Sequence, residues 1–328
     1  MPLNKTGKVK IPSGKIGLAD ITIYFETYTS QPYSSKKPTL IFLHGGPGIV
    51  DHTMYVPFWS QLTDVANIEF IDLRGHGQSG GHELAYQDTW CLSQWADDVV
   101  AYCDAKHIEH PIIAGFSFGA WIAYAYLIQH PQHAKKIIFV NGEPWVNVAL
   151  RAEKFKARAI ETATKQGKSD PLAYGKQVKQ IVMDLRDIAL TKKSSASDTA
   201  QLYVEHCLPL FSNTPYTKEE LSTCLRKNTD LWHYFDTNEY YRFDYRQQLN
   251  ALKLKLGNLK QKRQHIPEIY MIAGEYDPEH PAEGTEDASN RLGEYAKHVV
   301  IANTGDPVYR DRPDISLQIL KHCVSGSF

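Results

Sequence analysis

The sequence predicts an α/β fold: a mostly parallel central sheet flanked by helices, with a helical unit inserted in its second half. Three observations carry that prediction. Short apolar runs recur at residues 39–43, 68–73, 111–115, 136–140, 268–273 and 298–302, with the length and composition of buried strands. Helical patterns stand between several of them, at 92–106 and 120–129. Strand–helix alternation gives parallel strands joined by right-handed crossovers. From about 146 to 265 the buried strands stop, and helical sequence rich in lysine and aromatics replaces them.

Residues 16–28 are β-branched and aromatic with partial alternation. They read as an early antiparallel strand, preceded by a shorter one at 9–11. The run 39–43 ends in His44-Gly45-Gly46-Pro47-Gly48. Three glycines and a proline in five residues make a loop of special dihedrals, whose N–H groups can point at an anion. The run 68–73 leads into Arg74-Gly75-His76-Gly77-Gln78-Ser79. Asp72, Arg74 and His76 read as residues that tie this loop in place. The helix at 92–106 follows from the spacing of Trp95, Val99, Val100 and Cys103, with Asp97, Asp98 and Asp104 between them.

The rest of the chain is organised around Ile112-Ile113-Ala114-Gly115-Phe116-Ser117-Phe118-Gly119. An apolar strand runs into Gly-x-Ser-x-Gly, and a helix follows. In that context the motif presents a serine hydroxyl on a sharp, strained turn. The residues two before and two after must be small, because strand and helix backbones pass close there. The following helix N-terminus favours developing negative charge. Ser117 is therefore the candidate nucleophile. The stretch 112–128 is nearly all apolar, but it is shorter than the ~20 residues that span a bilayer.

The region 146–265 divides the chain into a first core segment (1–145), an insert, and a second core segment (266–328). Within the insert, 148–166 and 174–192 are helical in pattern and basic, as a solvated surface is. An aromatic cluster follows: Trp232, His233, Tyr234, Phe235, Tyr240, Tyr241, Phe243 and Tyr245. Such a unit can cover a site with apolar side chains.

A net charge of −1 gives no global signal for nucleic acid or an anionic membrane. Residues 1–10 are polar and basic without an apolar core, so no secretory leader is expected. The five cysteines are scattered without a Cys-x-x-Cys pair, which suggests neither a disulfide framework nor a zinc site. A reducing cytoplasm is the expected compartment.

The loop His44-Gly45-Gly46-Pro47-Gly48 and the elbow around Ser117 resemble those of α/β-hydrolases of the proline iminopeptidase type, and residues 72–79 resemble another loop of that family. The resemblance implies an α/β-hydrolase fold with a helical cap at 146–265. It implies acyl transfer to water through a Ser117 acyl-enzyme, with the Gly46 and Phe118 N–H groups holding the oxyanion. Asp277, after the penultimate strand, matches the acid of the family's triad. No metal or cofactor is implied. The partner would be a small-molecule substrate or short peptide, with no nucleic acid and no membrane. Gly45, Glu143, Trp145 and Trp232 are candidate substrate contacts, Glu143 as a carboxylate for a substrate ammonium.

One departure stands out. The family's histidine follows the last strand, and here that position reads Asn303-Thr304-Gly305-Asp306-Pro307. An imidazole accepts and returns the serine proton. A carboxylate with a pKa near ~3.9 is a poor base for a hydroxyl. Asp306 is thus expected at the vertex where the imidazole belongs, and Ser117 without a base. His44, His76, His280 and His298 lack the sequence context of a base and read as structural. Two readings remain: a serine hydrolase with its histidine replaced, or a non-catalytic small-molecule-binding protein on the same fold.

Overall fold

The computed structural model describes residues 3–30, 34–191, 201–214, 217, 219–220 and 228–326. Among them, eight strands form one sheet in the order β1-β2-β4-β3-β5-β6-β7-β8. The strands are β1 (Leu3–Ile11), β2 (Ile21–Tyr28), β3 (Thr39–Leu43), β4 (Asn67–Ile71), β5 (Ile112–Phe116), β6 (Lys136–Val140), β7 (Glu268–Gly274) and β8 (Ala296–Ile301). β1 pairs antiparallel with β2, and β2 with β4; every other pairing is parallel. The expected strand at 16–28 begins only at Ile21. The chain turns through Gly14 and Gly17, both at positive φ, and Ile16 stands fully exposed.

β5 lies between β3 and β6, with Ile113 paired to Ile41 and Ile137. Alternate residues of these buried strands feed opposite cores, as the period of two requires. Ile41, Ile113 and Ile137 pack with α1 (Leu92–Lys106), α2 (Phe118–Gln129) and later helices; Phe42, Ala114 and Ile138 pack on the other face with Trp59 and Leu320.

The chain leaves the sheet after β6 and returns at a neck, an antiparallel bridge between Trp145 and Asp244. Between them run α3 (Val148–Lys165), α4 (Pro171–Thr191) and α5 (Thr229–Phe235). The region 146–265 therefore divides at this neck. Its last helix, α6 (Arg246–Gln261), buries Leu249, Leu252, Leu256 and Leu259 in the same cluster as Ala288 and Leu292 of α7 (Ala282–Leu292), so it lies with the helices of the sheet. The part before the neck touches loops after β3, β4, β6, β7 and β8. The Asn228 carbonyl packs on Gly48, Asn228 Nδ2 donates to the Gly75 carbonyl, and Arg151 reaches Glu143 and Glu279. The Asp306 N–H donates to the Phe211 carbonyl at 2.7 Å. All five loops leave the C-terminal edge of the sheet. No helix of the described residues is long and apolar enough to cross a membrane. The final helix, α8, is Pro313–Ser325.

The elbow depends on two close approaches. A Cβ on Gly115 would fall 2.3 Å from the Gly119 carbonyl oxygen, and one on Gly119 would fall 2.1 Å from that of Leu43. Both obstacles are backbone and cannot swing aside. Gly119→Ala is expected to cost about 1–3 kcal/mol by overpacking, read as a lower denaturant midpoint with the slope unchanged.

Candidate active site

Ser117 sits between the end of β5 and α2, with φ 52° and ψ −116°. This is a rarely populated backbone conformation for a residue with a Cβ, held by the packing of Gly115 and Gly119 around it. The Ser117 N–H donates to the Val140 carbonyl at 3.0 Å, tying the elbow to the adjacent strand. Phe118 opens the helix, so its N–H has no intrahelical acceptor. Gly46 lies beside it: a Cβ there would be 3.5 Å from the Phe118 ring.

The glycine loop is held from behind by two histidines. His76 Nε2 accepts the Gly48 N–H at 2.7 Å, and its Nδ1–H donates to the Arg74 carbonyl. Burial, joined by the charge of His44, pushes His76 down to about 3. His44 Nε2 accepts the Leu73 N–H at 3.1 Å. Asp72 accepts the Gln78 N–H and bonds His52 Nδ1, and Arg74 forks onto Asp98. These groups bind loop to loop.

The imidazole beside Ser117 comes from an unexpected loop. His280 Nε2 lies 3.1 Å from Ser117 Oγ, and its Nδ1 lies 2.7 Å from Glu143 Oε2. Expecting Ser117 to lack an imidazole is thus corrected: His280, after β7, stands where the sequence pattern puts a histidine after β8. The physical cause is a turn built by Asp277. Its Oδ1 accepts the N–H groups of Glu279 and His280 at 2.9 and 2.8 Å, an Asx-type turn that folds the loop back over the sheet edge. Its Oδ2 accepts from Asn141 Nδ2 at 2.7 Å. Asp277 therefore holds the loop backbone, while Glu143 meets the ring.

Glu143 was expected to face substrate. It is 2 % exposed instead, turned inward between His280 and Arg151. Arg151, from the first turn of α3, donates Nε to Glu143 at 3.1 Å and Nη1 to Glu279 at 2.7 Å; Tyr240 OH also donates to Glu279, at 2.6 Å. Burial pushes the Glu143 carboxyl up, but Arg151 and His280 outweigh it and hold Glu143 below its ordinary value. Burial pushes His280 down, but Glu143, then Asp277 and Asp306, outweigh it and carry His280 to about 9. Removing Arg151 would leave two buried carboxylates without their cation. Arg151→Met is expected to cost about 3–5 kcal/mol, a melting-temperature drop of about 4–7 °C for a chain of this length, measurable by calorimetry.

Asp306 does not occupy the imidazole's place. Its Oδ2 is 3.8 Å from His280 Nε2, on the same nitrogen that faces Ser117. Burial, then the Asp277 charge, raises its carboxyl well above the ordinary value. Of the remaining candidates, Gly45 packs on the Tyr55 hydroxyl, Trp145 stacks under the Arg246 guanidinium at 4.7 Å, and Trp232 lies 5.4 Å from the Tyr203 ring. A cavity of about 560 Å³ lies beyond the glycine loop, bordered by Gly48, Gly75, His76 and Asn228; Ser117 is not part of its lining.

The sequence reading takes His280 as structural and does not single out Arg151. The available signal was positional, since both belong to loops or first turns at the edge that carries Ser117.

A family profile described as the alpha/beta hydrolase fold matches residues 38–313. The proline iminopeptidase PfmaB of Pestalotiopsis fici is 32% identical over 109 residues, which is 33% of this chain and 37% of that protein. The abhydrolase domain-containing protein abhd-5.2 of Caenorhabditis elegans is 22% identical over 138 residues, 42% of this chain and 30% of that protein. The chain thus spans about a third of the length of these curated relatives. Among solved structures, the proline iminopeptidase of Mycobacterium smegmatis superposes over 98% of both chains with a TM-score of 0.70 at 15% identity. An esterase from Exiguobacterium antarcticum superposes over 97% of this chain and 99% of its own, with a TM-score of 0.65 at 14% identity. The profile match runs from the start of β3 into α8, through elbow, insert and the loops that carry His280 and Asp306, and this chain belongs to the α/β-hydrolase fold family.

Proposed function

We propose that the protein is a serine hydrolase that cleaves a small amide or ester through a Ser117 acyl-enzyme, as an aminopeptidase of the proline iminopeptidase kind or an esterase. The observation that carries this reading is the chain of contacts from Ser117 Oγ to His280 Nε2 and from His280 Nδ1 to Glu143. In this reading His280 accepts the serine proton as Oγ attacks the carbonyl, then returns it to the leaving group. Glu143 fixes the tautomer with Nδ1 protonated. Gly46 and Phe118 offer N–H groups to the oxyanion, and the insert before the neck caps the site and excludes water. Similarity to proline iminopeptidases and an esterase supports the substrate class.

The value near 9 for His280 favours a second reading. An imidazolium cannot accept a proton, so near neutral pH only the small neutral fraction of His280 can serve as a base, and a chain that makes no use of it would bind a small molecule without cleaving it. A fluorophosphonate probe separates the two. Covalent labelling that rises from pH 7 to pH 10 and disappears in Ser117→Ala supports the hydrolase; p-nitrophenyl esters and aminoacyl-arylamides then sort the substrate. No labelling and no turnover anywhere in that range overturns it in favour of the binding protein.

A further inference from the structure

Two acceptors meet one nitrogen in this site. His280 Nε2 faces Ser117 Oγ at 3.1 Å and Asp306 Oδ2 at 3.8 Å. The longer distance is beyond a hydrogen bond but still within ion-pair range. Asp306 cannot readily retreat. It is 2 % exposed, its N–H is bound to the Phe211 carbonyl, and its neighbour Gly305 donates to Asp311 and accepts from Asn141. A small tilt of the imidazole transfers an Nε2–H from the serine side to the carboxylate side.

We infer that Asp306 is a positioning residue that acts through His280: its carboxylate holds the imidazolium by Nε2–H and keeps Ser117 unactivated until that proton leaves. This rests on the proposed hydrolase only for its kinetic consequence. The groups that face His280 come from every surrounding element. Glu143 follows β6, Asp277 and Glu279 follow β7, Asp306 follows β8, Arg151 lies on α3, and Tyr240 belongs to the insert. Arg151 is taken up by Glu143 and Glu279, and Tyr309 beside Asp306 stays a neutral phenol. The pair of His280 and Asp306 therefore keeps one proton between them at neutral pH. The raised value of His280 agrees with this, and the His280 charge in turn favours the Asp306 carboxylate against the burial and the Asp277 charge that push its carboxyl up. When that proton leaves, the imidazole is neutral with Nδ1–H on Glu143, and its Nε2 lone pair meets the serine hydroxyl.

The test is the titration of His280 by NMR in protein carrying ¹³C-labelled histidine, in wild type and Asp306→Asn. The midpoint is expected to fall from about 9 towards the ordinary imidazole value of ~6.5. If it falls by at least one pH unit, fluorophosphonate labelling of Ser117 at pH 7 should rise about tenfold in the same variant. A midpoint unchanged in a folded Asp306→Asn overturns the inference. A midpoint that falls while neither protein is ever labelled leaves the inference standing and removes the hydrolase reading. Should Asp306→Asn not fold, Ser117→Ala decides. With Asp306 as the remaining partner of Nε2, its midpoint should stay at or above that of wild type, and a drop to the ordinary imidazole value would refute the pairing.

Discussion

His280→Ala is expected to lower kcat by about 10⁶-fold on whichever ester or amide the wild-type protein cleaves. A serine hydroxyl is a weak nucleophile until a neighbouring base takes its proton. Among the described residues, His280 is the imidazole at hydrogen-bond distance from Ser117 Oγ. Ser117→Ala should reach the same floor, and the double variant should fall no further, because residues that act as one unit are not additive. The floor still lies about 10³–10⁴-fold above water, supplied by oxyanion donors and binding. Steady-state kinetics at pH 9 to 10 make the comparison, with circular dichroism to confirm the fold. A His280→Ala protein that keeps a tenth of wild-type kcat would remove His280 from the chemistry.

The architecture was legible because it is written in local signals. Six short apolar runs marked six strands, the glycines around Ser117 marked a backbone crossing that admits no Cβ, and the loss of buried strands after Val140 marked the insert. The early strand was overextended because β-branched residues continue back to Ile16, whereas Gly14 and Gly17 turn the chain before Ile21. The site was legible only to the level of the sheet edge. Sequence order says that the loops after β6, β7 and β8 leave the same edge. It does not say which of their side chains meet. That depends on how the Asp277 turn aims His280, and on a cation eight residues beyond Glu143. Arg151 sits in a basic helix whose sequence reads as solvated, yet it faces inward and is 2 % exposed. Its role appears only when the two carboxylates that it joins are in place.

The position of the acid gives the second large effect. Glu143→Gln is expected to lower kcat by about 10⁴-fold, the loss that follows when the carboxylate behind a catalytic imidazole becomes an amide and the wrong tautomer is favoured. Asp277→Asn is expected to cost far less. Its retained carbonyl oxygen can still accept the Glu279 and His280 N–H groups that now bond Oδ1. What it loses is the bond from Asn141 to Oδ2 and one negative charge beside the imidazole. Either charge loss should lower the pH at which His280 becomes a base, and Glu143→Gln the more because Glu143 is the larger cause, so the two variants separate by the size of kcat on the high-pH plateau. Measuring kcat for both variants from pH 6 to 10 separates position from charge. If Asp277→Asn suffers the 10⁴-fold loss and Glu143→Gln is mild, the acid is the one that follows β7, and Glu143 with Arg151 is a buried support for the loop. The contact at 2.7 Å between Glu143 and His280 Nδ1 argues for the other order, since an ionised acceptor on Nδ1–H is what stabilises the imidazolium formed when Ser117 attacks.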